Sequence, residues 1–194
     1  NKLIKDHDPE GAYMVLENSI KKMFKGEYNI KYFLTSKSLK SKESYKDWSR
    51  IAHVVLSERI GERDPGNKPQ SGDRITYAVV QVKERKGMLQ GDRIETPEYI
   101  KEKGLKLDYY FYLTNQIETP ALQFLKLAVP DAEQRFQRLK HKLDNERKGI
   151  IEVSNFVTYM NDLNDDEKKE VNKKITPSRK ISDLMDGIIS KITI

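Results

Sequence analysis

Arg59, Arg63, Lys68 and Arg74 fall within HVVLSERIGERDPGNKPQSGDRITYAVV, residues 53–80, between Gly61, Gly66 and Gly72 and beside Pro65 and Pro69. Cations set among glycines have the chemistry of anion binding: guanidinium and ammonium groups meet phosphate oxygens, and glycine lets the backbone approach closely. A nucleotide-binding phosphate loop is excluded. That loop needs Lys directly after its second Gly and then Ser or Thr, whereas here Asn67 intervenes and Pro69 follows Lys68. GERDPGNKP also follows a helical pattern rather than a strand.

Other chemistries fail on the same test. Asp162, Asn164 and Asp166 have the spacing of the first calcium ligands of an EF-hand, but Glu167 stands where the loop needs Gly and Lys173 where it needs Glu. His7, His53 and His141 are too scattered to propose a metal site. The chain has no cysteine, which removes disulfide frameworks, zinc ribbons and thiol nucleophiles and fits a reducing compartment. There is no nucleophile elbow, and the acidic residues interleave with Lys and Arg as surface ion pairs do. No self-contained active site is legible in these residues.

The elements that must position the cations follow from periodicity. Tyr13, Leu16, Ile20, Met23 and Phe24 predict a helix over 10–25 that Gly26 ends, and 29–35 reads as a short strand. Trp48, Ile51, Ala52, Val55, Leu56 and Ile60 form a second helical stripe, closed by Gly61 and Pro65. Residues 74–82 alternate as a strand, with Ile75, Tyr77 and Val79 on one face, and KERKG turns the chain toward another short strand near 88–95. Asp108 is placed to cap a helix carrying Tyr110, Leu113, Ile117, Ala121 and Phe124 on one side, which Pro120 should kink or restart. Pro130 suits the first turn of a further helix with Ala132, Phe136, Leu139 and Leu143 on its face. Residues 161–174 are polar, and Ile181, Leu184, Met185, Ile188 and Ile192 predict an amphipathic C-terminal helix.

The totals agree with one large domain or two small ones: 194 residues, 37% hydrophobic and 34% charged, with a mean hydropathy of -0.76. No apolar run approaches the roughly 20 residues that span a bilayer, and the beginning lacks the apolar core of a secretory signal. The net charge is +6, and it is concentrated: residues 21–90 hold sixteen Lys/Arg against eight Asp/Glu. A basic half is the electrostatic footprint of a phosphate-binding surface, or a solvated lysine-rich one.

Four segments in order, TSKSL (35–39), HVVLSERI-x-ERDPGNKPQSGDRITY (53–77), ETPEYI (95–100) and DYYFYLTNQIETP (108–120), resemble the thumb domain of a family B DNA polymerase of delta type or large-DNA-virus type. The resemblance covers roughly residues 10–128. It implies an α+β, predominantly helical fold, a polymerase thumb with a small antiparallel β element. The thumb core would occupy 1–128, a helical extension 129–160, a polar linker 161–180 and the amphipathic helix 181–194. The resemblance further implies a replicative, DNA-directed DNA polymerase whose thumb grips the primer-template duplex. The palm motifs D-x-x-S-L-Y-P and Y-G-D-T-D-S, which carry the family's metal-binding aspartates, are absent from these residues. The chemistry and its Mg²⁺ ions would therefore belong to a palm outside this chain, with no catalytic residue, metal site or cofactor here. Delta-type enzymes carry a cysteine-rich C-terminal module, so the missing cysteine tilts the resemblance toward a viral enzyme.

A grip on any DNA sequence uses phosphate contacts rather than a base code. The residues that fit are Lys37, His53, Arg59, Arg63, Lys68 and Arg74, with ordinary roles open beside the functional one. Arg59 could pair with Glu62, Arg63 with Asp64 or Glu58, and His53 could be a hydrogen-bonded structural histidine. Tyr109, Tyr110 and Tyr112 could stack on bases, but Tyr110 reads mainly as core. Implied partners are the duplex, the palm, fingers and exonuclease of the same polymerase, and a sliding clamp or processivity factor if helix 181–194 docks rather than packs on its parent enzyme. No membrane partner is implied; the setting would be intracellular, in the nucleus or at a cytoplasmic viral replication site. The competing reading is a non-catalytic helical nucleic-acid-binding or scaffold protein.

Overall fold

The computed structural model describes residues 6–83, 85–162, 164–166 and 168. Helix α1 (Pro9–Phe24) starts where the Asp8 carboxylate accepts the Gly11 N–H at 2.8 Å, with Pro9 in the first turn. Both features satisfy or remove amides that a helix start leaves unpaired. Tyr13, Ile20 and Met23 are buried as their spacing predicts.

The strand expected over 29–35 is displaced. Asn29 accepts the Lys31 N–H on its side chain at 3.0 Å and starts a 3₁₀ turn, Ile30–Phe33, so strand β1 (Thr35–Ser38) begins later. A local side-chain acceptor has won over a ladder partner. The second helical stripe is also divided: Trp48–Arg50 form a separate 3₁₀ turn, and α2 (Ala52–Arg63) follows, running through Gly61. Its buried face is Ala52, Val54, Leu56 and Ser57, while Trp48 is 40% exposed.

Strand β2 (Arg74–Val79) is central in a three-stranded antiparallel sheet ordered β1-β2-β3, with β3 at Ile94–Glu95. Both later strands are shorter than the sequence pattern suggests. Thr35 lies opposite Tyr77 and Ser38 opposite Arg74, while Val79 lies opposite Ile94. Continuing the first register puts Phe33 opposite Val79, but there the strands have parted. The Tyr112 hydroxyl stands between them, accepting the Val79 N–H at 2.7 Å and donating to the Phe33 carbonyl at 2.9 Å. Burial pushes this phenol up to about 12.

Thr96 caps α3 (Pro97–Lys103), and Asp108 caps α4 (Tyr109–Tyr112) by accepting the Phe111 N–H at 3.0 Å. Residues Leu113–Ile117 then form a π-helical turn before α5 (Glu118–Leu125). The wider turn shifts the helical phase, so the expected stripe is only partly realised. Leu113, Leu122 and Leu125 are buried beside Tyr112, whereas Phe124 is 65% exposed. Pro120 lies in the first turn of α5, where a missing N–H is tolerated.

Two compact units divide the chain, Asn1–His141 and Lys142–Ile194. Helix α6 spans Ala132–Asp162, with Pro130 just ahead of it rather than in its first turn. In the first unit it buries Ala132, Phe136 and Leu139. In the second, Asp144 holds Arg147 at 3.0 Å and Lys148 at 2.6 Å, and Leu143 is buried. Most of the expected linker and all of helix 181–194 lie outside the described residues. The fold is α+β and predominantly helical, as the sequence implies.

Candidate nucleic-acid interface

The six basic positions separate into two settings. Arg59 and Arg63 lie one turn apart on α2, and both turn to the corner where β3 enters α3. Arg63 meets Glu95 with both terminal nitrogens, at 2.9 and 2.7 Å, and its guanidinium lies 3.7 Å from the Tyr99 ring centroid. Its pKa is raised chiefly by the hydrogen bond to Glu95. Arg59 donates to the Gly91 carbonyl at 3.0 Å and to that of Ile94. Its Nε lies 3.0 Å from Glu95, near enough for attraction but without hydrogen-bond alignment. Glu95 itself is 7% exposed. The ion pairs expected with Glu62, Asp64 or Glu58 give way to this one, because a buried carboxylate with two cations gains more than exposed neighbours screened by water.

Glu58 is engaged elsewhere. Its carboxylate takes Lys42 and Lys68, each at 2.9 Å, and the hydrogen bond from Lys42 is the chief cause holding it below the usual carboxylate range. The Lys68 stem crosses Gly61, where an added Cβ would come within 2.6 Å of it. Gly61 therefore serves the crossing of the 65–68 turn over α2.

Arg74 has the opposite setting. Gly72, at φ +102°, leads into β2, and Arg74 then projects from an exposed face. Because Ser38 pairs with Arg74 and Ser36 with Thr76, these four side chains share one side of the ribbon. Arg74 donates to Ser36 Oγ at 3.2 Å, Ser38 Oγ at 3.3 Å and the Ser36 carbonyl at 3.4 Å, and Thr76 Oγ1 lies 3.3 Å from Ser36 Oγ. Among the described residues no carboxylate neutralises Arg74. Its partners are neutral oxygens in positions where phosphate oxygens would compete well for a guanidinium.

Lys37 lies opposite Ile75 on the other side of the ribbon, exposed at its edge. His53 is near it, half-buried, with Nε2 3.3 Å from the Tyr45 hydroxyl. Burial lowers the His53 pKa and the Lys37 charge adds to this, against a hydrogen bond with the Ser38 backbone. The neutral imidazole is thus favoured, which is the setting of a structural histidine. Sequence reasoning missed Glu95, Tyr99, Ser36, Ser38 and Thr76. The hydroxyls had a signal in the two-residue alternation of TSKS and RIT; Glu95 opens the segment ETPEYI, but nothing local pairs it with arginines 32 and more residues away.

Among the described residues no group of three or more His, Cys, Asp or Glu gathers as a metal site, and no helix is long and apolar enough to cross a membrane. The described side chains do not fit a divalent cation. What they offer is a ribbon with Arg74 on one side and Lys37 at its edge.

The model of DNA polymerase family B matches residues 3–128. The DNA polymerase of Pyramimonas orientalis virus is 45% identical over 119 residues, which are 61% of this chain and 10% of that protein. That of Acanthamoeba polyphaga mimivirus is 39% identical over 163 residues, 81% of this chain and 9% of the relative. The DNA polymerase delta catalytic subunit of Glycine max is 30% identical over 142 residues, 73% of this chain and 13% of the relative. The chain belongs to DNA polymerase family B. It spans about a tenth of the length of these curated relatives.

Proposed function

We propose that the chain is the thumb and C-terminal part of a replicative DNA-directed DNA polymerase. It grips the primer-template duplex through phosphates while a palm outside these residues performs nucleotidyl transfer with Mg²⁺. The observation that carries this reading is Arg74, exposed on the β1–β2 ribbon among Ser36, Ser38 and Thr76 with no described carboxylate against it. Strand spacing supports it: side chains two positions apart repeat along the ribbon by about 6.5 Å, a distance comparable to successive phosphates on one strand. Backbone contacts of this kind hold any sequence in register without reading bases.

In this reading Arg74 makes the principal contact from one side of the ribbon, and Lys37 reaches the DNA backbone from the ribbon's edge. Arg59 and Arg63 act through the Glu95 corner, which fixes α2 against β3 and sets where the ribbon stands. Lys68 reaches the duplex by exchanging Glu58 for a phosphate, and His53 orients the Lys37 edge. The rest of the polymerase is the second partner. A sliding clamp, if one binds, docks through residues 181–194.

The test is primer-template affinity across a salt series for the whole polymerase carrying Arg74→Ala. The slope of log affinity against log salt should fall by about one unit, equally on unrelated sequences. An unchanged slope removes the ribbon from the grip and leaves the scaffold reading.

A further inference from the structure

Trp48 is the one tryptophan of the chain, and its stripe would place it in the core. It stands instead 40% exposed on the 3₁₀ turn Trp48–Arg50. Lys42 Nζ lies 4.4 Å from the ring centroid and is held there by Glu58 at 2.9 Å. The surrounding run, LKSKESYKDWSR (39–50), carries Lys40, Lys42, Lys46 and Arg50 against Glu43 and Asp47. Asp47 is taken by Arg50 at 3.4 Å, and among the described residues Lys40 and Lys46 have no ion-pair partner. The run is also anchored: the Tyr45 hydroxyl accepts the Lys40 N–H at 3.1 Å and meets His53.

An exposed aromatic ring held in place within a basic field is the combination that binds unpaired strands. Every base has a face to stack, and lysines follow the backbone. A duplex offers no such faces along its length, so the ring has no use in a grip on paired DNA. The surrounding cations favour a polyanion over an apolar protein partner. We infer that Trp48 is a stacking platform for an unpaired nucleobase, its ring steadied on one side by Lys42, with Lys40 and Lys46 receiving the flanking phosphates. The ligand is a single-stranded segment of nucleic acid. The inference extends the nucleic-acid reading above but depends on different residues.

The test uses the whole polymerase. A single-stranded oligothymidylate carrying 5-bromouracil is bound and irradiated, and the cross-linked peptide is mapped by mass spectrometry, with plain oligothymidylate, an abasic sugar-phosphate oligomer of equal length and a blunt duplex as competitors. The cross-link should fall at Trp48, and excess oligothymidylate should suppress it where the abasic oligomer and the duplex do not. Trp48→Ala, followed by anisotropy of labelled oligomers, should bind oligothymidylate about 5- to 150-fold more weakly, and Trp48→Phe should keep the preference for bases. Equal suppression by the abasic oligomer overturns the inference. So does oligothymidylate affinity unchanged in Trp48→Ala, or a Trp48→Phe protein with a folded circular-dichroism spectrum and no preference for bases. Arg74→Ala separates the two readings, since it should weaken the duplex and leave the cross-link at Trp48 intact. Duplex binding unmoved by Arg74→Ala would sink the ribbon grip alone.

Discussion

The arginines of α2 and the arginine of β2 have the same chemistry and opposite circumstances. Arg59 and Arg63 converge on one buried carboxylate and on backbone carbonyls, so their charge is already satisfied within the fold. Arg74 rests on serine oxygens in solvent and keeps its charge available. A count of basic residues treats the three alike. What separates them is whether a carboxylate reaches them first, and that is decided by tertiary structure.

The sharpest way to break the contrast is at its acidic centre. Glu95→Ala leaves two partly buried guanidinium groups without their carboxylate and should lower unfolding free energy by about 3–5 kcal/mol, measured by urea denaturation. A loss under about 1 kcal/mol would mean that the corner is an ordinary surface pair. Tyr112→Phe is the next largest. It strands the Val79 N–H and the Phe33 carbonyl in a buried position and should cost about 1–3 kcal/mol. The arginines themselves come third. Arg63→Ala should destabilise by about 1–2 kcal/mol while leaving the salt slope of duplex binding unchanged. Arg74→Ala should do the reverse, with stability held within about 0.5 kcal/mol and the slope reduced by about one unit. Identical behaviour of the two variants would erase the distinction.

The smallest expected effect is the pH dependence contributed by His53. Its folded pKa lies below the ordinary 6.5, so the unfolded chain takes up the proton first. The stability this provides is complete above 6.5 and is lost as pH falls through the folded value. His53→Gln should flatten that part of a thermal-midpoint profile, leaving the more acidic decline in which Glu58 takes part. A profile unchanged by the substitution would show that the ring is not held neutral.

Much of the fold was legible because burial leaves a period in the sequence. Tyr13, Ile20 and Met23, and Ala132, Phe136 and Leu139, fall where their spacing puts them, and Asp108 caps as its type suggests. The failures have local causes that a period does not carry. Asn29 drew Ile30–Phe33 into a 3₁₀ turn, and the π turn at Leu113–Ile117 turned Phe124 outward. The six candidate residues were chosen by their types and by the segments they fall in. Sorting them required knowing that Glu95 lies beneath α2, a relation between residues 32 and more apart.

The Tyr112 hydroxyl also gives the fold a direction in time. Val79 waits for a partner 33 residues further along the chain. At a translation rate of about 5–20 residues per second, the ribosome adds that partner roughly 2–7 s later. During that interval the central strand has an open amide where β1 has already parted from it. Vectorial synthesis thus leaves the sheet unfinished until α4 emerges.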